Sequence, residues 1–167
     1  MHWKLTDGVW WGDRHSLLDL KDEACSVLNL AHNEELSPGR TRYNPLFLGG
    51  KTPYFRFGAH DRDVLDDDFL WQLESLIDIC LFHTPLLVHC YAGHHRSSIV
   101  AVWAAVKSLG YSVENYKAMM ERAVSLRPDI QTSFQFNYSK SVQAWIEKRI
   151  SEQAVKTCAC SKKCQLV

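Results

Sequence analysis

The feature that most restricts the fold of this chain is a short apolar run followed by a polar loop and a longer apolar run. Residues 86–102 read LLVHCYAGHHRSSIVAV. The run Leu86–His89 does not alternate with polar residues, which is typical of a strand buried on both faces of a parallel sheet. Residues Ile99–Leu109 predict a helix that ends before Gly110. A strand, a tight loop and a helix therefore predict further strands beside this one and helices against the sheet.

Other segments of the chain show strand or helix periodicity. We predict strands or hairpins in residues 5–13, 25–31 and 54–58, and helices that begin near Asp66, run from Ser112 to Leu126 and follow Pro128. Prolines and glycines without a regular period predict a long loop over residues 32–53. Because the strands precede most of the helices, we predict an α/β domain of three layers, with a central, mainly parallel sheet flanked by helices.

Length and charge limit the number of domains and the kind of partner. The chain has 167 residues, enough for one compact domain with a sizeable core. We assign this domain to residues 1–152 and expect residues 153–167 to form a flexible, cysteine-containing tail. Lysine plus arginine and aspartate plus glutamate both number 19, so no net charge attracts nucleic acid. We expect no nucleic-acid partner, and any anion must be recognised locally.

The cysteines and the two ends of the sequence indicate where in the cell the protein is expected. The start, MHWKLTDG, lacks the charged and apolar regions of a secretory signal, so reduced thiols fit better than disulfides. We expect a cytoplasmic monomer. The last four residues, CQLV, loosely match a prenylation box, and prenylation of Cys164 would associate the protein with membranes. The alternative is a disordered tail with incidental cysteines.

The loop between the predicted strand and helix carries residues that suit phosphate chemistry. Backbone amides at the carboxyl end of a sheet strand and at the start of a helix favour an anion. Gly93 permits close approach of the backbone or a positive φ, and Arg96 offers a planar fork of donors for two phosphate oxygens. A thiol at Cys90, among these groups, is expected to be a thiolate at neutral pH. The pattern indicates a cysteine nucleophile beneath a bound phosphoryl group.

The segment HCYAGHHRS, with Cys90 and Arg96 in a Cys-x5-Arg pattern, resembles the signature of the cysteine-dependent protein tyrosine phosphatase superfamily. The resemblance extends over most of the chain and is strongest for the compact dual-specificity phosphatases. LTDGVWWGD and SVLNLA look like the first two strands of those proteins, and RPDIQTSFQF like the segment that joins their last two helices. Ser133 departs from the asparagine usual in that segment, and the pair His94–His95 replaces residues that are more often small, apolar or lysine.

The resemblance implies a role for each residue of this segment. Cys90 attacks phosphorus to give a phosphocysteine, which water then hydrolyses, while Arg96 stabilises the equatorial oxygens and Ser97 donates a hydrogen bond to the departing thiolate. His89 supports the loop. No cofactor and no metal are needed. The residues implied to bind the phosphate are Tyr91, Ala92, Gly93, His94, His95 and Arg96.

The leaving group also needs a proton, which the family takes from an aspartate on a loop upstream. Asp61 is our first choice and Asp63 the second, because Asp61 directly follows a strand that we expect to run beside Leu86–His89. Asp66, Asp67 and Asp68 fall where a helix begins, so we predict capping and solvated charge for them.

These features predict a phosphatase acting on phosphotyrosine or on phosphoserine and phosphothreonine in proteins. Alternatives are a phosphoinositide or RNA 5′-phosphatase built on the same loop, and a pseudophosphatase that binds phosphate without turnover. A zinc site formed by histidines and Cys90 is disfavoured, because adjacent residues of a strand, His89 and Cys90, point in opposite directions. For His94 and His95, two interpretations stay open: exposed loop residues, or contacts to an acidic or multiply phosphorylated substrate.

Overall fold

The structure, a computed structural model, describes residues 1–16, 20, 23–24, 26–32 and 52–164, and for residues 158–164 only the course of the backbone. Cys25, most of the predicted long loop and residues 165–167 of the prenylation box lie outside the described residues. One sheet has the strand order β1-β2-β5-β3-β4. Only the pair β1–β2 is antiparallel among these strands. The strands are β1 (His2–Lys4), β2 (Val9–Gly12), β3 (Ser26–Asn29), β4 (Tyr54–Arg56) and β5 (Leu86–His89).

The described helices are α1 (Asp67–Leu81), α2 (Arg96–Leu109), α3 (Val113–Leu126) and α4 (Asn137–Cys164), with a 3-10 helix at Pro128–Gln135 before α4. The carboxylate of Asp66 caps α1 through the amide of Phe69 at 2.8 Å, as the acidic cluster predicts. Helix α2 begins at Arg96, three residues before the apolar run, so the end of the polar loop is already helical. Helix α4 continues past residue 152, and the predicted boundary of the tail stays a prediction.

The central strands are buried on both faces, and alternate side chains join two separate apolar clusters. In β5, Leu86 and Val88 belong to the larger cluster, which includes residues of all four α-helices, whereas Leu87 belongs to the smaller one. Leu20 and Ala24 contribute to the smaller cluster on the opposite face. The predicted fold class is confirmed: a mainly parallel sheet flanked by helices.

The position of β4 corrects one expectation. It pairs with β3 at the edge of the sheet, whereas the neighbours of β5 are β2 and β3. The prediction that β4 runs beside the signature strand is therefore wrong, because sheet order does not follow chain order. Among the described helices, none combines the length and the apolar character needed to cross a membrane.

Candidate active site

Cys90 lies immediately after β5, at the base of the loop that leads into α2. Its side chain is buried, and its Sγ lies 3.3 Å from the hydroxyl of Ser97 in the first turn of α2. The Ser97 hydroxyl is also 3.3 Å from the carbonyl oxygen of Gly12, at the end of the neighbouring strand β2. The chain therefore brings the predicted nucleophile and the predicted donor to the departing thiolate into direct contact.

Gly93 is required at the middle of the loop by its backbone conformation and by its surroundings. Its φ is +73°, in the left-handed region that L residues with a side chain rarely adopt. A Cβ atom at this position would lie 2.8 Å from the amide nitrogen of Asp13 and 2.9 Å from the carbonyl carbon of Gly12. The loop consequently packs directly against the backbone that follows β2.

The guanidinium of Arg96 is buried and held by the ends of two other strands. Its Nη1 donates to the carbonyl oxygens of Leu30, after β3, at 3.3 Å and of Ala59, after β4, at 2.8 Å. These two contacts fix the orientation of the guanidinium. A planar guanidinium can donate to two phosphate oxygens at once, which suits arginine to phosphate recognition.

His89 lies behind the loop and is fully buried. Burial lowers its pKa to about 4, so the imidazole is neutral at physiological pH. Its Nδ1 is 3.5 Å from the carbonyl oxygen of Cys90. In the described part of the chain, no three His, Cys, Asp or Glu side chains converge as metal ligands would.

Tyr91, in the loop, is covered by Arg14 from the segment after β2. The backbone amide of Arg14 donates to the carbonyl oxygen of Tyr91 at 3.2 Å, and the Arg14 guanidinium stacks over the Tyr91 ring at 4.0 Å. A cation–π contact of this kind adds to the attachment of the loop to the segment after β2.

The two candidate acids, Asp61 and Asp63, have different surroundings. The Asp61 carboxylate contacts the loop itself, because its Oδ2 is 2.7 Å from Nδ1 of His95. The Asp63 carboxylate instead accepts from the backbone amide of His60 at 2.8 Å and closes a local turn. Of the two, only Asp61 is brought into contact with the loop that carries Cys90, although β4 is not adjacent to β5.

Comparisons with solved structures identify the fold. No family model and no curated protein matches the sequence. A crystal structure of Tk-PTP in a mutant form aligns with a TM-score of 0.67 and 17% identity, over 90% of this chain and 96% of the other. PTPMT1 in complex with PI(5)P aligns with a TM-score of 0.65 and 13% identity, over 92% and 98%. Human DUSP28 aligns with a TM-score of 0.60 and 18% identity, over 87% and 92%.

The chain has the compact dual-specificity phosphatase fold. Its Cys-x5-Arg loop lies after the central strand of that fold, where the sequence pattern predicts it. The roles of Cys90, Arg96, Ser97 and Asp61 at this position stay predictions.

Sequence reasoning missed Arg127, which follows α3 and holds the loop between Cys90 and Arg96 from outside. Its Nη1 donates to the carbonyl oxygen of Gly93 at 3.0 Å and lies 3.5 Å from that of Ala92. Its Nη2 contacts Nε2 of His94, and its Nε donates to Asp129 at 3.0 Å. Burial, together with the nearby Arg127 charge, lowers the pKa of His94. Arg127 begins the segment RPDIQTSFQF, but no periodic signal connects it to a loop more than thirty residues earlier.

The start of α4 holds the segment that carries Asp61. The amide of Tyr138 donates to the carbonyl oxygen of Asp61 at 3.2 Å, and the Asn137 side chain donates to the carbonyl oxygen of Arg62 at 3.0 Å. The Phe136 ring stacks against His95 with a centroid distance of 4.2 Å. The predicted acid segment, the loop and α4 thus meet at one point.

Proposed function

We propose that this protein hydrolyses phosphomonoesters through a phosphocysteine intermediate, with phosphotyrosine or phosphoserine and phosphothreonine of proteins as substrates. The observation that carries the proposal is the contact between the buried Cys90 Sγ and Ser97, in the same loop as the fixed guanidinium of Arg96. A nucleophile, a cation of fixed orientation and the amides at the start of a helix are groups that support phosphoryl transfer.

In the first step the Cys90 thiolate attacks phosphorus, and the bond from phosphorus to the leaving oxygen breaks. Asp61 transfers its proton to that oxygen, so that the product leaves as a neutral alcohol or phenol. Arg96 stabilises the charge on the equatorial oxygens of the transferring group.

In the second step a water molecule attacks phosphorus, and the bond from sulfur to phosphorus breaks. The Asp61 carboxylate takes the proton from the water by the reverse of its first role. The sulfur departs as a thiolate, which the Ser97 hydroxyl stabilises by a hydrogen bond. Inorganic phosphate is released and the starting protonation is restored.

A phosphoinositide is the second candidate substrate, because the structurally similar PTPMT1 was crystallised with PI(5)P. Phosphate-loop chemistry is the same for a lipid headgroup and a protein side chain, so the residues described above serve both. Turnover of phosphotyrosine peptide, phosphothreonine peptide, phosphoinositides and 5′-triphosphate RNA, measured side by side by phosphate release, ranks these candidates. Specific binding of one of them without turnover would support the pseudophosphatase alternative.

Replacement of the nucleophile tests the proposed reaction. We expect Cys90→Ser to lose nearly all phosphate release while it still binds vanadate or phosphate, because Arg96 and the loop amides remain. Arg96→Lys should also fail, since an ammonium cannot make the forked contact.

The matched control for this test is Cys80→Ser. Cys80 is the other buried cysteine described by the structure, and burial raises the pKa of its thiol to about 11, so it stays protonated. Cys80→Ser should retain turnover. Wild-type rates in Cys90→Ser would overturn the proposed mechanism.

A further inference from the structure

One hydrogen bond directly joins the predicted acid to the phosphate loop. Nδ1 of His95 and Oδ2 of Asp61 are 2.7 Å apart, and each side chain is 31% exposed. His95 occupies the N-cap position of α2, yet in the described structure its side chain makes no capping bond to the helix. Its imidazole is turned toward the acid instead of toward the first amides of α2.

Both partners of this bond are held in place by Phe136 and the start of α4. The imidazole of His95 stacks on Phe136 with an interplanar angle of 28°, which holds the ring beside the segment that carries Asp61. The backbone of Asp61 is held by the amide of Tyr138. The bond therefore joins two anchored groups, and its loss would leave the Asp61 side chain free to rotate about χ1.

The neighbouring histidine has a different environment, although the two residues are adjacent and about equally exposed. His94 contacts Arg127, and its Nδ1 is 3.2 Å from Asp129. The two histidine rings lie 6.1 Å apart at a steep angle. The two histidines therefore have different partners. His94 contacts Arg127 and Asp129, which lie outside the loop, whereas His95 contacts the predicted acid Asp61.

We propose that His95 is a positioning residue for the general acid, an inference that rests on the proposed function. Its Nδ1–H donates to Oδ2 of Asp61 and orients the carboxyl group, so that Oδ1 carries the proton passed to the leaving oxygen. As that proton leaves, negative charge develops on Asp61, and the hydrogen bond from the Nδ1–H of His95 strengthens. Positioning of this kind matters for substrates whose leaving group needs a proton, and it leaves the nucleophile Cys90 itself unchanged.

Two substrates separate these effects. An alkyl phosphate requires protonation of its leaving group, whereas para-nitrophenyl phosphate has a leaving group that departs without a proton. We expect His95→Ala to lower kcat/KM for the alkyl phosphate by about tenfold and to change kcat/KM for para-nitrophenyl phosphate much less, because kcat/KM excludes the second step, which both substrates share. His95→Asn should restore most of the loss, because its side-chain amide can donate from a place close to that of Nδ1.

A double substitution tests the coupling directly. Once Asp61→Asn has removed the acid, His95→Ala should cause no further selective loss, because the two residues act as one unit. His94→Asn serves as the matched comparison: any loss there should be equal for both substrates, since His94 does not contact the acid. Thermal unfolding of each variant shows whether a loss of rate reflects loss of the fold.

The inference is overturned by equal losses for both substrates in His95→Ala, by failure of His95→Asn to restore the rate, or by additive losses in the double variant. A failure of His95→Asn as large as that of Asp61→Asn would make His95 the proton donor itself. Failure of the proposed function has a different signature, namely a wild-type protein without turnover or a Cys90→Ser variant with it.

Discussion

Two aspartates separated by one residue show how a single contact distinguishes similar candidates. The Asp61 carboxylate contacts His95 of the loop between Cys90 and Arg96, whereas the Asp63 carboxylate accepts a hydrogen bond from the amide of His60 in a local turn. A carboxylate that accepts a backbone amide within its own turn stabilises that turn. The contact with His95 instead places the Asp61 carboxylate beside the loop that carries Cys90, and the proposed role of Asp61 depends on this contact.

We predict that Asp61→Asn slows hydrolysis of an alkyl phosphate by about a hundredfold or more, the usual effect of losing a general acid. The kcat/KM for para-nitrophenyl phosphate should decrease much less, because kcat/KM reports the first step alone, in which this leaving group needs no proton. Steady-state kinetics with both substrates measures this difference. If Asp63→Asn shows the selective loss and Asp61→Asn only small, equal losses, the role belongs to Asp63.

At the scale of secondary-structure elements, the loop after β5 is held from outside by the residue that follows α3. Arg127 donates to the Gly93 carbonyl oxygen, pairs with Asp129 and places its guanidinium 4.2 Å from the ring of Trp3 in β1. Only a planar group with several donors can make these contacts together. Arg127 therefore connects the loop, the 3-10 helix and the first strand.

We expect Arg127→Ala to lower kcat/KM by about tenfold for alkyl and aryl phosphates alike, because a shifted loop misplaces both the nucleophile and the bound phosphoryl group. Arg127→Lys should recover little of the loss. Arg122→Ala, which changes an exposed arginine of α3, is the control and should behave as wild type. A loss confined to the alkyl phosphate would contradict this role and assign Arg127 to the acid.

At the scale of the whole molecule, local sequence patterns predicted the strands and helices but not which strands lie next to each other in the sheet. The uninterrupted apolar run of β5 and the spacing of Cys90 and Arg96 identified the central strand and its loop, because both signals lie within a few residues. The edge position of β4 could not be predicted, since it depends on which strands pair across the sheet. The bond between Asp61 and His95 joins residues 34 positions apart, and such a contact cannot be predicted from the periodicity of the sequence.

A buried carboxylate of α1 links three of the helices. Glu74 in α1 is 4% exposed and accepts hydrogen bonds from Lys107 of α2 at 3.0 Å and from Trp145 of α4 at 3.2 Å. It also accepts from the Tyr111 hydroxyl at 2.8 Å and from Nε of Arg149 at 2.9 Å. A buried charge with this many partners is compensated, but it becomes costly if any partner is left alone.

This cluster predicts a pH-dependent contribution to stability. Burial alone would raise the pKa of Glu74, but the hydrogen bonds from Arg149, Tyr111 and Lys107 outweigh it and hold the pKa below the usual 4.5. A lowered carboxyl pKa contributes stability that is complete above the unfolded-state value and is lost as the pH falls through the folded-state value.

We therefore expect Glu74→Gln to lower the free energy of unfolding at neutral pH by about 3 kcal/mol, because the variant leaves the Arg149 charge without its buried partner. The difference from wild type should stay constant above pH 4.5 and shrink below it. Urea unfolding at a series of pH values measures both effects. Glu152→Gln is the control, since Glu152 also binds Arg149, at 2.7 Å, but is 41% exposed and should contribute much less. A pH-independent difference between wild type and Glu74→Gln would show that Glu74 stabilises the helices by packing and that its charge contributes nothing.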